Sequence, residues 1–302
     1  MTPTPGSEAV SETKISSFLL ISALVLQQLF GGLTFPISKY GLEQIEPFTF
    51  AFYRFVISAA ILFVIVRMRS HTLPISRPDR WRIVGLGVLI IPFNQAMYLY
   101  GQRLTAAGHG ALLFATSPLW IFLAAVIHLR EKLFWRRVVG IVIGIAGVVT
   151  IMWAGAKHFG SHYLMGDIII LIAVLAWVYY TILGKPLARK YGALRVTAYA
   201  LGSGTLLYIP FGLYRALEFN YAHVTMGGWL AVLYLATGTS VLSYVLWYWV
   251  LKYMEASRIA VFQNLQPVLA AAVAYVMLGE EITLNFVVGS IIALAGVIIA
   301  EM

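Results

Sequence analysis

The chain has 302 residues, of which 61% are hydrophobic and only 11% are charged, and its formal net charge is +9. Both fractions lie outside the range of soluble globular domains, so the composition excludes an ordinary water-soluble fold. Cysteine is absent, which excludes a disulfide framework and a thiolate metal site.

Residues 1–14 are polar and rich in proline, so we predict a disordered cytoplasmic tail. Apolar segments then run through the chain, and most approach the roughly 20 residues that a helix needs to cross a bilayer. In chain order they are 17–38, 47–67, 82–101, 107–129, 137–154, 167–187, 196–215, 227–251, 257–278 and 284–300. Because strand-like alternation is absent, we predict an all-α membrane protein with ten transmembrane helices.

Lysine and arginine are unevenly distributed over the connections between these segments. If the N-terminus is cytoplasmic, 16 cations fall on the inner side and four on the outer side. This bias predicts an integral plasma membrane protein, in a bacterial inner membrane, with both termini cytoplasmic. The positive excess then reflects topology and attraction to anionic lipid, and nucleic acid is not an expected partner.

An ungapped internal repeat relates residues 107–152 to residues 256–301. A shift of 149 aligns Ala107 with Ala256, Pro118 with Pro267, Glu131 with Glu280, Gly140 with Gly289 and Gly147 with Gly296. The cations of the first copy are not repeated, as expected when one element occurs twice in opposite orientations. We predict two inverted five-helix repeats around a central cavity, at 15–154 and 167–302, joined by an external linker at 155–166.

The repeated block resembles the paired EamA domains of the drug/metabolite transporter superfamily. Its pattern is Ala107, Pro118, Leu129, Glu131, Gly140 and Gly147, and it recurs as Ala256, Pro267, Leu278, Glu280, Gly289 and Gly296. Pro47 and Arg54 in the second segment also resemble that family's pattern. The resemblance covers about residues 17–301 and implies ten helices that export small metabolites, often amino acids.

Polar side chains near the centres of six segments predict the position of the cavity, because unpartnered polar groups are costly in lipid. Aromatic side chains accompany them and are able to stack on a planar substrate or bind an ammonium group. The substrate-binding candidates are Gln27, Asn94, Tyr98, Trp177, Tyr180, Ser240, Tyr244, Gln263 and Asn264. For each residue alone, hydrogen bonding between helices or simple packing is an equally good explanation.

Three further residues at membrane depth are candidates. Pro118 and Pro267 occupy equivalent repeat positions, where each is expected to kink its helix and expose a carbonyl, either for substrate or for packing alone. Arg54 is the only clearly intramembrane charge. It either meets a substrate carboxylate or has a structural role, snorkelling outward or capping backbone carbonyls. Because the second segment has few other midplane polar groups and so resembles an outer packing helix, the sequence favours the structural role.

The repeated residues Glu131 and Glu280 precede the fifth and tenth segments and are expected to cap the N-termini of those helices. The small residues around Gly140 and Gly147, and their counterparts around Gly289 and Gly296, predict close helix packing inside the protein rather than a dimer.

All twelve carboxylates fall in the tail, the connections or the segment ends, so a midplane proton relay has no candidate. We predict alternating access without carboxylate-based proton coupling, and no cofactor, metal or catalytic residue. One intramembrane cation argues against phosphate-rich cargo, which needs several. The sequence favours export of small zwitterionic metabolites by a monomer or weak homodimer, with amino acids, including aromatic or hydrophobic ones, as the first expectation. The alternatives are other metabolites or drugs, a lipid-modifying enzyme, or a pore.

Overall fold

The computed structural model describes residues 16–68, 74–104, 113–153, 164–266, 268–269 and 284–301. Within these ranges all regular structure is helical and no strand occurs. The α-helices are α1 Ser17–Leu42, α2 Pro47–Arg67, α3 Arg77–Val88, α4 Met97–Leu104, α5 Ser117–Leu129, α6 Trp135–Trp153, α7 Leu164–Tyr191, α8 Ala193–Glu218, α9 Met226–Tyr234, α10 Tyr244–Tyr253, α11 Ala256–Ala260 and α12 Leu284–Glu301.

Two π-helical segments join pairs of these helices into continuous rods. Leu89–Ala96 connects α3 to α4, and Leu235–Ser243 connects α9 to α10. A 3₁₀ turn, Val261–Asn264, follows α11. The predicted third and eighth segments are therefore each a single rod with a π-helical middle, and this was not anticipated from sequence.

Six helical stretches among the described residues are long and apolar enough to cross a membrane: Ser17–Leu42, Pro47–Arg67, Arg77–Gly101, Leu164–Tyr191, Ala193–Glu218 and Met226–Tyr253. Leu113–Leu129 and Val287–Ala300 are shorter apolar helices. The all-α membrane class is confirmed. α7 begins at Leu164, three residues before the predicted start of the second repeat. The predicted tail, most of the predicted linker and Glu280 lie outside the described residues.

Local sequence explains where several helices begin and end. Pro47 opens α2, and the carboxylate of Glu46 accepts hydrogen bonds from the backbone of Phe48 at 3.1 Å and Thr49 at 2.9 Å. Those amides would otherwise be unsatisfied at the helix N-terminus. Gly192, at φ 86°, separates α7 from α8 in a conformation that suits glycine.

Small residues set the contact between α6 and α12. A Cβ atom built on Gly140 would lie 2.6 Å from the Gly296 carbonyl oxygen, and one on Gly147 would lie 2.6 Å from that of Gly289. The two helices therefore touch backbone to backbone. Because higher numbers on one helix meet lower numbers on the other, α6 and α12 run antiparallel. This confirms the prediction that the small faces pack inside the protein.

Polar contacts gather at the two ends of the bundle. One end, here named the basic end, holds residues 76–82, 130–137, 185–195 and 252–258. There Asp79 accepts hydrogen bonds from Lys190 and Tyr191, each at 2.7 Å, and Arg189 donates to the Lys252 carbonyl at 3.0 Å. At the opposite end Arg215 pairs with Glu46 at 3.1 Å. Segments predicted to share a membrane side thus contact one another.

Candidate functional site

The two π-helical segments flank Arg54 of α2, which among the described residues is the one charge that lies deep in the bundle. Its Nε donates to the Ser240 hydroxyl at 2.9 Å, in the second π-helical segment, and its Nη1 donates to Gln95 Oε1 at 2.9 Å, in the first. A π-helix widens the turn and is frequent at functional sites. The segment from α3 to α4 contains Pro92, which removes a backbone donor and favours such an irregularity.

Arg54 is almost completely enclosed, with 2% of its surface exposed. It therefore does not snorkel outward, and its recorded hydrogen bonds go to side chains rather than to backbone carbonyls. The guanidinium carbon lies 5.0 Å from the centre of the Phe55 ring. Its Nη2 makes no hydrogen bond, and within the described ranges no carboxylate forms an ion pair with it.

Neutral polar groups continue this site towards α7. Gln95 Nε2 donates to Asn94 Oδ1, and Asn94 Nδ2 donates to the Ala173 carbonyl at 2.8 Å. Tyr244 and Tyr98 lie close enough to interact electrostatically with Arg54. The buried cation is thus surrounded by amides and hydroxyls that leave its charge uncompensated.

A cluster of aromatic side chains from α7 and α10 reaches the cation through Tyr244. The Trp177 ring lies 5.7 Å from Tyr180 and 5.8 Å from Tyr244, centre to centre. All three are buried, with at most 8% of each exposed. Trp247 fixes the neighbouring wall by donating to Thr181 Oγ1 at 3.1 Å, and Tyr248 donates to the Tyr180 carbonyl at 2.7 Å.

A second polar chain links α1 to the second half. Gln27 Nε2 donates to Ser243 Oγ at 3.0 Å, Gln28 donates to Gln27 at 2.7 Å, and Gln266 donates to Gln28 at 2.8 Å. All of these donors and acceptors are neutral. This chain of hydrogen bonds therefore joins the two halves without a group that gains or loses a proton near neutral pH.

The remaining candidates lie apart from Arg54. Gln263 accepts from the Ser117 hydroxyl, which joins the turn after α11 to the start of α5. Asn264 is fully buried and faces Gly144 of α6, and its side-chain amide has no hydrogen-bond partner among the residues that the structure describes. Pro118 stands in the first turn of α5, directly after an interruption at Thr116. Pro267 lies outside the described residues.

Sequence reasoning selected Asn94 and overlooked Gln95 as a direct partner of the cation. The selection used the four-residue spacing of an α-helix, which places Asn94 and Tyr98 on one face. In a π-helix the backbone hydrogen bonds join residues five apart, so the side chains that share a helix face differ from those of an α-helix. Pro92, inside the π-helical segment Leu89–Ala96, was the feature of the sequence that could have indicated the irregular helix. Thr181, the partner of Trp247, carried no such signal.

Glu131 holds the two halves together at the basic end. Its carboxylate accepts from Lys185 Nζ at 2.7 Å, from the backbone amides of Ala256 at 2.8 Å and Ser257 at 3.1 Å, and from the Ser257 hydroxyl at 2.7 Å. It caps α11 of the second half, not the following α6, which corrects the helix we expected it to serve. Arg137 of α6 adds an ion pair with Glu255.

We expect Glu131→Gln to lower the free energy of unfolding by about 3 kcal/mol at neutral pH, because it leaves the enclosed Lys185 ammonium without its counter-charge. Burial alone would raise the pKa of Glu131, but hydrogen bonds from Lys185, Ser257 and Ala256 outweigh burial and hold that pKa below its ordinary value. The contribution is therefore present above the ordinary carboxyl pKa and is lost as the pH falls through the lower folded-state value.

Thermal unfolding of the purified protein, followed from neutral to acidic pH, measures this difference. Glu43→Gln is the matched control, since Glu43 is exposed and has no recorded partner. Equal stability of the Glu131 and Glu43 variants at neutral pH would contradict the assignment.

Comparisons with known proteins agree with these features. The model of the EamA-like transporter family matches residues 18–153 and 164–302. A protein of Archaeoglobus fulgidus named "Uncharacterized transporter" is 30% identical, with 91% of this chain and 94% of that protein covered. The "Uncharacterized transporter YyaM" of Bacillus subtilis is 27% identical, with 90% of each chain covered.

Two further comparisons concern function and fold. A "Probable terminal-alkyne amino-acid exporter" of Streptantibioticus cattleyicolor is 25% identical, with 92% of this chain and 91% of that protein covered. A crystal structure superposes with a TM-score of 0.78 at 19% identity, covering 93% of this chain and 98% of the other. At that identity the superposition establishes the fold alone.

Proposed function

Because the chain belongs to the EamA-like transporter family and is an integral membrane transporter, we propose that it exports small zwitterionic metabolites, foremost amino acids. The aromatic walls suit an aromatic or otherwise hydrophobic side chain. Transport proceeds by alternating access around the site at Arg54. The relative from Streptantibioticus cattleyicolor, whose name gives an amino acid as its cargo, supports this substrate class.

The observation that carries the proposal is the unsatisfied Nη2 of Arg54. Removing a charged group from water costs several kcal/mol unless an opposite charge and hydrogen bonds compensate it. Arginine keeps its proton even when buried, so it is unable to avoid this cost by titrating. Ser240 and Gln95 supply neutral acceptors for two donors. A substrate carboxylate would supply the missing negative charge and bind Nη2.

The rings of Trp177 and Tyr244 suit the other end of the same substrate. An ammonium group is attracted to the face of an aromatic ring, most strongly to that of tryptophan. The Arg54 guanidinium would therefore bind the carboxylate of an α-amino acid while the neighbouring aromatic rings bind its ammonium group. Gln27, Asn94, Tyr98 and Ser240 would provide hydrogen bonds around the substrate. Gln263 and Asn264, which lie apart from Arg54, would line the substrate path between the halves.

Ten transmembrane helices in two inverted five-helix repeats remain the proposed architecture. The reciprocal contacts of α6 with α12 support it, because Gly140 meets Gly296 while its repeat equivalent Gly289 meets Gly147. Such an exchange of equivalent residues is what a two-fold axis produces. We assign the basic end to the cytoplasm, since cytoplasmic connections carry the excess of lysine and arginine.

Exchange or facilitated diffusion follows from the lack of an interior carboxylate among the described residues. The carboxylates whose partners are defined all lie at the ends of the bundle: Glu46, Asp79, Glu131, Glu218 and Glu255. Apart from Arg54, which keeps its proton, the interior side chains that join the halves by these hydrogen bonds are amides and hydroxyls. Proton coupling through a midplane carboxylate is therefore not part of the proposal.

Counterflow in liposomes containing the purified protein tests both parts of the proposal. Liposomes loaded with unlabelled phenylalanine should accumulate labelled phenylalanine, whereas liposomes loaded with phenylalanine amide should not, because the amide lacks the carboxylate. An imposed pH gradient should leave the extent of accumulation unchanged. Equal counterflow by the amide would contradict recognition at Arg54, and uphill accumulation driven by the gradient would contradict uncoupled exchange.

A further inference from the structure

A cavity of about 390 Å³ opens at the basic end, away from the site at Arg54. It lies between the end of α5, the last turns of α7 and the residue before α11. Its charged lining consists of Arg130, Glu131, Lys132, Lys185, Arg189 and Glu255. Four cations against two carboxylates leave an excess of two positive charges.

Both carboxylates are already neutralised by other partners. Glu131 accepts from Lys185 and from the start of α11, and Glu255 pairs with Arg137, which is not part of the lining. Arg130 and Lys132 have no ion pair with any carboxylate in the described ranges. Arg189 donates only to a backbone carbonyl, that of Lys252. Three cations therefore converge on the cavity without an anion of their own.

The backbone holds one of these cations in place. Arg130 ends α5 in the left-handed region, at φ 53°, where residues other than glycine are uncommon. This conformation turns the chain sharply and leaves Arg130 at the rim instead of continuing the helix.

Exposed apolar side chains lead from the cavity along the outer surface of α5 and α7. Ile127 is 70% exposed and Leu183 45% exposed, within three residues of Arg130 and Lys185 respectively. Leu133, beside the cavity, is 66% exposed. His128 and Tyr179 contact one another at 5.7 Å and close the seam between the two helices. The cationic cavity is thus continuous with a lipid-facing surface.

We propose that this cavity binds the phosphate of an anionic phospholipid, with the acyl chains lying along the seam of α5 and α7. Phosphate accepts several charge-assisted hydrogen bonds, and guanidinium groups bind it well. Basic pockets between transmembrane helices are suited to anionic head groups. Lys185 and Glu255 also join the two halves, so the bound lipid stabilises the contacts between the halves at the basic end. The site is independent of which cargo is carried.

Binding of phosphatidylglycerol to the full-length protein in neutral detergent tests the proposal. Lipid retention is counted by native mass spectrometry, and thermal unfolding is measured over the same titration. We expect phosphatidylglycerol to bind at least tenfold more tightly than phosphatidylcholine and to raise the unfolding temperature. The double variant R130Q/K132Q should bind phosphatidylglycerol about 30-fold more weakly, as expected for losing two cations near an anionic surface.

The matched control is R67Q/R77Q, which removes two exposed cations outside the cavity and should bind as the unmodified protein does. Equal binding of the two lipids, or equal losses in the two double variants, would overturn the site. Inorganic phosphate is the third probe. If it alone binds as tightly as phosphatidylglycerol and loses that affinity in R130Q/K132Q, the ligand is a free phosphate and the lipid assignment is wrong.

Discussion

Arg54→Gln is expected to reduce transport of amino acids by about 30-fold or more while leaving a folded protein. Removing one partner of a buried, hydrogen-bonded charge pair costs roughly 2–5 kcal/mol, and each 1.4 kcal/mol corresponds to a tenfold change. Glutamine retains an amide that can donate a hydrogen bond to Ser240 or Gln95, but it lacks the positive charge that the Arg54 Nη2 group presents to the substrate. Initial rates of counterflow in liposomes measure the loss.

Arg54→Lys should also fail to restore full transport. Its ammonium keeps the charge but lacks the planar fork that reaches Ser240, Gln95 and the substrate together. The ratio of phenylalanine transport to phenylalanine amide transport distinguishes substrate recognition by Arg54 from a purely structural role. The unmodified protein should prefer phenylalanine to its amide, and Arg54→Gln should lose that preference. Retained preference at a lowered rate, or a normal rate in the variant, would contradict a substrate contact.

Gly147→Ala is expected to destabilise the protein by about 1–3 kcal/mol, and Gly147→Leu to prevent accumulation of the folded form. The added Cβ would lie 2.4 Å from the backbone nitrogen of Ala293 and 2.6 Å from the Gly289 carbonyl oxygen. Backbone atoms are unable to give way as a flexible side chain does, so α6 and α12 must separate and lose packing. Thermal unfolding monitored by size-exclusion chromatography in detergent measures the effect.

Gly202→Ala supplies the control for the same chemical change in a helix. No atom lies within 4 Å of a Cβ built on Gly202, so this substitution meets open space. It should be neutral or stabilise by up to about 1 kcal/mol, since alanine favours helix more than glycine does. Gly296→Ala, which meets the Gly140 carbonyl oxygen at 2.6 Å, should resemble Gly147→Ala. If Gly147→Ala and Gly202→Ala behave alike, the close contact of α6 with α12 is not what the stability depends on.

Particular residues explain how far sequence reasoning reached in the site. Trp177, Tyr180 and Tyr244 were selected as deep aromatics, and the structure brings them together. Arg54 was identified as the intramembrane charge, but its role was judged from the second segment alone, which looked peripheral. Its partners Gln95 and Ser240 lie 41 and 186 positions away, so no local pattern predicts that they converge on it.

The amino-acid sequence was sufficient to predict the all-helical membrane class, the segregation of cations to one end and the small faces of α6 and α12. Each of these depends on composition or on spacing within one segment, because lipid forces every backbone group to bond within its own helix. The folded structure was needed to show the π-helical middles, the burial of Arg54 between them and the capping of α11 by Glu131. Those features arise where separate segments meet. The free energy of burying a charge or pairing a carboxylate depends on both contacting segments, so neither segment alone predicts it.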